Sequence, residues 1–178
     1  MNRLKATCLL TFIMLLLTQL SFTLLANAAT VAEKRQAVRN TSTETLSKLY
    51  EMRPNARQAI ADAAGYAVFT STGIKLFVLG GGAGKGLAVS NHTGEEVFMR
   101  MTEIQAGLGL GIKRYNLVFV FAYDQAFDKF TAGKWDFGGQ ATAAATDSVS
   151  GGSLEGAISV SPGVWLYQMT DKGLALEL

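Results

Sequence analysis

Hydrophobic and polar residues follow two different periodicities, one before and one after residue 65. Between Ala29 and Ile60 the apolar positions recur with a weak helical spacing, and Pro54 is expected to separate a first helix from a short second one, Asn55–Ala64. From Gly65 onward, apolar residues alternate with small or polar ones in short segments rich in valine, phenylalanine and leucine. This alternation predicts β-strands, because successive side chains of a strand point to opposite faces.

The second part of the chain predicts an antiparallel sheet with one inserted helix. His92–Gly94 and Lys113–Asn116 have the composition of turns, and Asp171–Gly173 predicts a hairpin. Asp124–Thr131 predicts a short helix with Asp124 as its N-cap. The predicted strands are Tyr66–Thr70, Ile74–Leu79, Gly86–Asn91, Glu96–Met101, Ile104–Lys113, Asn116–Ala122, Trp135–Ala145, Leu154–Val160, Val164–Thr170 and Leu174–Leu178, with Thr146–Ser153 as a loop. The expected fold class is therefore α+β, with N-terminal helices packed on a curved, mainly antiparallel β-sheet or small barrel.

Glycine marks two segments of this predicted sheet. In Gln105–Ile112 glycine alternates with larger residues, so one strand face is nearly bare. A crossing helix or a tightly curved sheet is expected against that face, and a lipid or other apolar ligand is the alternative. Leu79–Gly86 resembles a phosphate-binding loop only in part, because Leu79 replaces the first required glycine and Gly86 replaces the Ser or Thr after the lysine. We interpret this segment as a connection between strands and expect no nucleotide binding.

The first 28 residues have the three parts of a secretory signal peptide. Arg3 and Lys5 form a basic start, Leu9–Leu25 is mostly apolar, and Ala26–Ala28 is typical of a cleavage site. We expect cleavage after Ala28, with an uncleaved membrane anchor as the alternative. Cys8 precedes the apolar stretch, so no lipobox is present. These features predict an exported protein of the periplasm or cell envelope whose mature chain has no disulfide.

Basic charge is concentrated near the start of the expected mature chain. The residues between Ala29 and Ile60 include six basic ones, Lys34, Arg35, Arg39, Lys48, Arg53 and Arg57, against Glu33, Glu44 and Glu51. A solvated helix face is the simplest alternative explanation. Without the leader, basic and acidic residues balance, which argues against a nucleic-acid-binding protein.

Residues suited to catalysis or metal binding are sparse. His92 is the single histidine and falls in a predicted polar turn. Glu95 and Glu96 are adjacent, so on a strand they point to opposite faces, and both are expected to be solvated. No paired histidine or cysteine ligands are present. We therefore expect neither an enzyme nor a cofactor or metal.

A series of motifs gives the most specific indication of function. They are, in order, Ala64–Phe69, Gly80–Gly86, Gln105–Gly111, Phe119–Phe121, Asp124–Phe130, Trp135 and Lys172–Leu174. Together they resemble the SYLF domain family, a lipid-binding module of bacterial exported proteins and of eukaryotic membrane-trafficking and actin-associated proteins. The resemblance extends from about Ala56 to Leu178, which divides the chain into a signal peptide (1–28), a basic helical segment (29–55) and a SYLF-like domain (56–178).

The resemblance implies binding to an anionic phospholipid membrane, assisted by a basic N-terminal segment; eukaryotic members bind phosphoinositides. The candidate lipid-binding residues are Lys34, Arg35, Arg39, Arg53 and Arg57, with Lys75, Lys85, Lys113 and Arg114 as secondary candidates. Lysine and arginine near an anionic bilayer favour weak, salt-sensitive adsorption. The alternative is a structural or adhesive envelope protein that binds a protein partner through its sheet edges.

Overall fold

The computed structural model describes residues 30–133, 154–170 and 173–175, with residues 74–80, 103–113 and 174–175 described by their backbone alone. The predicted leader, the predicted strand Trp135–Ala145 and the predicted loop Thr146–Ser153 lie outside the described residues. So do the first two residues of the predicted hairpin Asp171–Gly173 and the last three of the strand Leu174–Leu178. The chain divides into two compact units, residues 1–37 and 38–178. In the first unit, residues 30–37 are helical.

Three helices lie in the described ranges: α1 (residues 30–52), α2 (Asn55–Asp62) and α3 (Asp124–Thr131). Pro54 separates α1 from α2, as predicted, and occupies the N-cap position of α2. A proline is tolerated there because the first helical N–H groups have no partner within the helix. None of these helices combines the length and apolar character needed to cross a bilayer.

The predicted bounds of α3 are confirmed, but the prediction for its N-cap is wrong. The N-cap residue is Tyr123, and its side chain makes no capping hydrogen bond. Asp124 is the first helical residue, where its negative charge complements the helix dipole. Its Oδ1 also lies 3.0 Å from Nδ1 of His92. The helix ends before Gly133, which adopts a positive φ of 68°.

The described strands form an open antiparallel sheet. They are β1 (Gly65–Ser90), β2 (Glu96–Phe121), β3 (Ile158–Ser161), β4 (Val164–Thr170) and β5 (Gly173–Ala175). The order is β1-β2-β4-β3, and β5 pairs with β4. Of the two expected arrangements, these strands form the antiparallel sheet and not a closed barrel.

The first two strands are much longer than the sequence predicts. Lys113–Asn116, predicted as a turn, pairs with β1 inside the continuous strand β2. The glycine-rich segment Leu79–Gly86, predicted as a connection, is part of β1. Pairing with a partner strand satisfies the backbone groups of both segments, and this overrides their loop-like composition.

The long β1–β2 hairpin folds back on itself. The backbone N–H of Asn91, just after β1, donates to the carbonyl oxygen of Ala64, just before it, at 2.9 Å. A Cβ added to Gly86 would lie 2.6 Å from the carbonyl oxygen of Val68. The pairing is irregular between Phe77 and Leu79, midway along β1, where a bulge bends a strand. The early and late parts of β1 therefore pack against each other.

Phenylalanine rings fill the inside of this bend. Phe69, Phe119 and Phe121 from the hairpin meet Phe127 and Phe130 from α3 in one buried cluster. The ring centroids of Phe121 and Phe130 are 4.9 Å apart, and those of Phe119 and Phe130 are 5.3 Å apart. These are favourable aromatic contact distances, and the cluster forms the inner core.

A second core covers the opposite face of the sheet. Leu49 of α1 and Ile60 of α2 pack with Val68, Val118 and Tyr167. The side chain of Asn91 donates to the carbonyl oxygens of Ile60 (2.6 Å) and Ala63 (2.8 Å), which caps α2. We call the part of the hairpin before the bulge its first half (residues 65–77 and 109–121) and the part after it its second half (residues 79–89 and 96–106). Helices α1 and α2 thus pack on the outer face of the first half. The outer face of the second half is left partly open.

Candidate anion-binding surface

Strand alternation places two cations on the outer face of the second half of the β1–β2 hairpin. Gly84 and Gly86 point into the bend, toward Ser71 and Phe69. Met99 and Met101 pack against the inner core from the facing strand. The residues between them therefore point outward: Lys85 on β1 and Arg100 on β2. We call these two residues the basic pair.

The two members of the basic pair are directly opposite each other in the β1–β2 register. Both are exposed, and neither forms an ion pair within the described ranges. Like charges at opposed positions of an antiparallel pair are destabilising. An anion bound between them would remove that cost, so the arrangement is suited to anion binding.

Arg39 lies on the same face but is already neutralised. Its Nε donates to Oε2 of Glu96 at 2.8 Å, and one terminal nitrogen lies 2.7 Å from the same oxygen. The hydrogen bond to Glu96 raises the pKa of Arg39 above its ordinary value. The guanidinium also lies 5.0 Å from the ring centroid of Phe98. Glu96 is therefore not merely solvated, as the sequence suggested, and Arg39 ties α1 to β2.

Arg53 and Arg57 lie at the junction of α1 and α2. Arg53 donates from Nη1 to the carbonyl oxygen of Met52 at 3.0 Å, while its buried Nε has no hydrogen-bond partner in the described structure. Burial raises the pKa of Tyr167 to about 12, and the charge of Arg53 partly opposes this shift. Arg57 lies over the ring of Tyr50, 4.4 Å from its centroid. Both arginines thus contact the helix–sheet packing.

Of the remaining predicted residues, three are exposed and two are described by their backbone alone. Lys34 and Arg35 are exposed on the helical residues of the first unit. Arg114 is exposed opposite Thr72, and the backbones of Lys75 and Lys113 pair with Gly111 and Gly73 in the same part of the hairpin. Within the second unit, the candidates whose side chains are described therefore have different surroundings.

Arg100 is the residue that the sequence prediction missed. The turn at His92–Gly94 was predicted correctly, and Glu96 pairs with Val89 just beyond it. Counting four residues outward along each strand from that pair would have placed Arg100 opposite Lys85. The cross-strand pairing of Lys85 with Arg100 could therefore have been inferred from the predicted turn.

The middle of the hairpin is strongly basic in sequence. Its two paired segments, residues 72–85 and 100–114, contain Lys75, Lys85, Arg100, Lys113 and Arg114, with Glu103 as the one acidic residue. The turn end is different, because Glu95 and Asp124 are exposed there and Asp124 contacts His92. Charge is therefore segregated along the hairpin.

In the part of the chain that the structure describes, groups that could support other chemistry are not clustered. His92 contacts Asp124 on the surface, where both side chains are about two thirds exposed. Among the described residues, no three His, Cys, Asp or Glu side chains come together as metal ligands would.

Two similarities to known proteins agree with the sequence resemblance. Residues 102–177 match the family model described as Ysc84, "Las17-binding protein actin regulator". A relative from Aeromonas veronii, named "Beta cell expansion factor A", is 31% identical over 151 residues, covering 85% of this chain and 56% of the relative. The chain thus spans about half the length of this curated relative.

Proposed function

Residues 102–177 place the chain in the Ysc84 (SYLF) family, and from that premise we propose an exported, non-enzymatic protein that binds membranes containing anionic phospholipid. The expected signal peptide, residues 1–28, would direct it to the periplasm or cell envelope. The names of the family and the relative describe a regulator and a factor, which suits a binding protein.

The observation that carries this proposal is the basic middle of the hairpin. Five cations and one acidic residue lie on its two paired segments, and Lys85, Arg100 and Arg114 are exposed. Each Lys or Arg near an anionic bilayer contributes about 1 kcal/mol, and this attraction falls off within a Debye length. The exposed cations of these segments therefore support weak, salt-sensitive adsorption.

The N-terminal segment has a smaller part in this proposal than the sequence suggested. Lys34 and Arg35 are exposed and suited to membrane contact. Arg39 is paired with Glu96, whereas Arg53 and Arg57 contact the helix–sheet packing. Charges held in such contacts gain less from an approaching membrane, because existing interactions must be weakened first.

Co-sedimentation with vesicles tests the proposal. Residues 29–178, the expected mature chain, are mixed with neutral or anionic phospholipid vesicles across a salt series. We expect binding to anionic vesicles alone, decreasing as salt is added. Absence of binding at every salt concentration would reject the proposal and favour a protein partner, which the family description "Las17-binding" makes the second candidate.

A charge-reversal variant tests the contribution of the N-terminal segment separately. Lys34→Glu, Arg35→Glu and Arg39→Glu are combined, and the fold is checked by circular dichroism because Arg39 pairs with Glu96. Weaker binding is expected from the reversed charge. Unchanged binding by the folded variant would remove this segment from the membrane-contacting surface and leave the hairpin as the remaining candidate.

A further inference from the structure

We infer that the basic pair, Lys85 and Arg100, is a binding site for a phosphomonoester group, presented by the headgroup of a membrane lipid. This inference rests on the proposed function and adds the residues that hold the ligand. It begins from the register, in which the two residues are direct cross-strand partners.

The geometry of the pair suits one phosphate. Directly opposed residues of an antiparallel pair have Cβ atoms about 5 Å apart, so both side chains can reach a single group above the sheet. The planar guanidinium of Arg100 can donate two parallel hydrogen bonds to phosphate oxygens, and Lys85 supplies a compact positive charge. A phosphomonoester carries a charge of about −1.5 to −2 at neutral pH, close to the combined charge of the pair.

The neighbours of the pair define the two sides of the site. On the side toward the turn, the next outward-facing residues are Leu87 and Phe98, which are buried and partly buried. On the other side they are Ala83 and Thr102, both exposed, which leave space and offer one hydroxyl group. The site is therefore open at Thr102 and closed toward the turn, where Leu87 is buried and Arg39 lies over the ring of Phe98.

The nearby carboxylate does not compete for this charge. Glu96 is held by Arg39 through contacts of 2.7 and 2.8 Å. Arg39 and Glu96 neutralise each other, whereas Lys85 and Arg100 keep their charge among the described residues. The uncompensated positive charge of this face is thus centred on the basic pair.

The test compares two double variants that lose the same net charge. Lys85→Gln/Arg100→Gln removes the basic pair, and Lys48→Gln/Lys129→Gln removes two exposed cations on α1 and α3. Binding is measured with vesicles containing phosphatidic acid, a phosphomonoester lipid, or phosphatidylglycerol, a phosphodiester lipid, matched in surface charge. Circular dichroism and the unfolding midpoint verify that each variant is folded.

We expect the first double variant to bind phosphatidic acid vesicles roughly 30-fold more weakly, and the second to lose much less. Arg100→Lys keeps the charge but not the guanidinium, so it is expected to lose the preference for phosphatidic acid over phosphatidylglycerol. Equal losses in the two double variants would overturn the site and leave the proposed function intact, because binding would then depend on net charge alone.

Inorganic phosphate distinguishes a membrane source from a free one. If the unaltered protein binds no anionic vesicle, the proposed function fails, and so does a lipid as the source of the phosphate. Amide NMR shifts at residues 85 and 100 on addition of inorganic phosphate would then show a site for free phosphate. Absence of those shifts in that case would reject the site as well.

Discussion

The two faces of the second half of the β1–β2 hairpin differ at adjacent residues. Gly86 points into the bend, where an added Cβ would lie 2.4 Å from Cδ1 of Phe69. Lys85, its neighbour, points outward, is exposed and is opposed by Arg100. One face has no room for a single methyl group, whereas the other carries two long cationic side chains.

Alternate residues of β1 therefore have different roles: those on the inner face contribute to stability, and the exposed Lys85 on the outer face is a candidate for recognition. Inner positions are constrained by packing, because a well-packed core tolerates neither a cavity nor an extra group. On the outer face, Lys85 and Arg100 are exposed and carry uncompensated charge. Substitutions on the inner face should therefore change the free energy of unfolding, whereas substitutions of the basic pair should change membrane binding.

The largest expected effect is the loss of a ring from the inner core. Phe119 is 1% exposed and contacts the rings of Phe69, Phe121 and Phe130. Phe119→Ala is expected to lower the free energy of unfolding by about 4 kcal/mol, because it leaves a large cavity. Urea unfolding measures this loss, with Val31→Ala, at a position 48% exposed, as the control. Similar losses at the two positions would contradict the assignment of the inner core.

A smaller effect is expected from adding one methyl group inside the bend. Gly86→Ala should cost about 3 kcal/mol, since its Cβ would approach both Phe69 and the carbonyl oxygen of Val68. Gly84→Ala is the matched comparison, because the nearest atom to its Cβ would be the carbonyl oxygen of Thr70 at 3.1 Å. Thermal unfolding should rank Gly86→Ala as the more damaging change. The reverse order would mean that the two parts of β1 pack differently.

The second core offers a test by pH, because Tyr167 of β4 is buried in it together with residues of α1 and α2. Burial raises the pKa of Tyr167 from 10.0 to about 12. The unfolded chain therefore loses the phenolic proton of Tyr167 at a lower pH than the folded chain does. The contribution of this residue to the free energy of unfolding is complete below pH 10 and is lost as the pH rises toward 12. The expected loss is roughly 2 kcal/mol.

Urea unfolding at several alkaline pH values measures this loss, and Tyr167→Phe should make the decline shallower. Tyr123→Phe is the control, because Tyr123 is 58% exposed. An equally steep decline in the Tyr167 variant would show that other groups cause the alkaline destabilisation.

Local patterns predicted most of the elements but not the length of the hairpin. Pro54, the bounds of α3 and the strand Val164–Thr170 followed from residues that act locally. The Lys113–Asn116 segment has a turn-like composition, yet pairing with β1 keeps it extended. Long-range pairing is not visible in local propensity, which is a weak guide for strands.

The candidate site was partly predictable for a related reason. Lys85 was identified from its charge, but its partner Arg100 became apparent only when the register was known. Arg39 was predicted to contact lipid, whereas its ion pair with Glu96 depends on the packing of α1 against β2. Sequence therefore indicated the chemistry of the site, and tertiary pairing decided which charges are neutralised.

The smallest expected effect is a gain in stability at the basic pair. Lys85→Glu replaces a repulsive cross-strand pair with an attractive one, so the free energy of unfolding should rise by about 0.5 kcal/mol. The same change should weaken binding to anionic vesicles, because it removes one of the two cations. Charge reversal of both residues, Lys85→Glu/Arg100→Glu, should cancel the gain by restoring like charges.

Urea unfolding and vesicle co-sedimentation of the unaltered protein and the two variants complete this comparison. A lower stability for Lys85→Glu would contradict it, because Lys85 would then make a stabilising contact that the open outer face does not show. A small gain in stability together with weaker binding would mean that the pair is kept at a cost to the fold. That cost is expected of a binding site, since residues selected for recognition need not be optimal for stability.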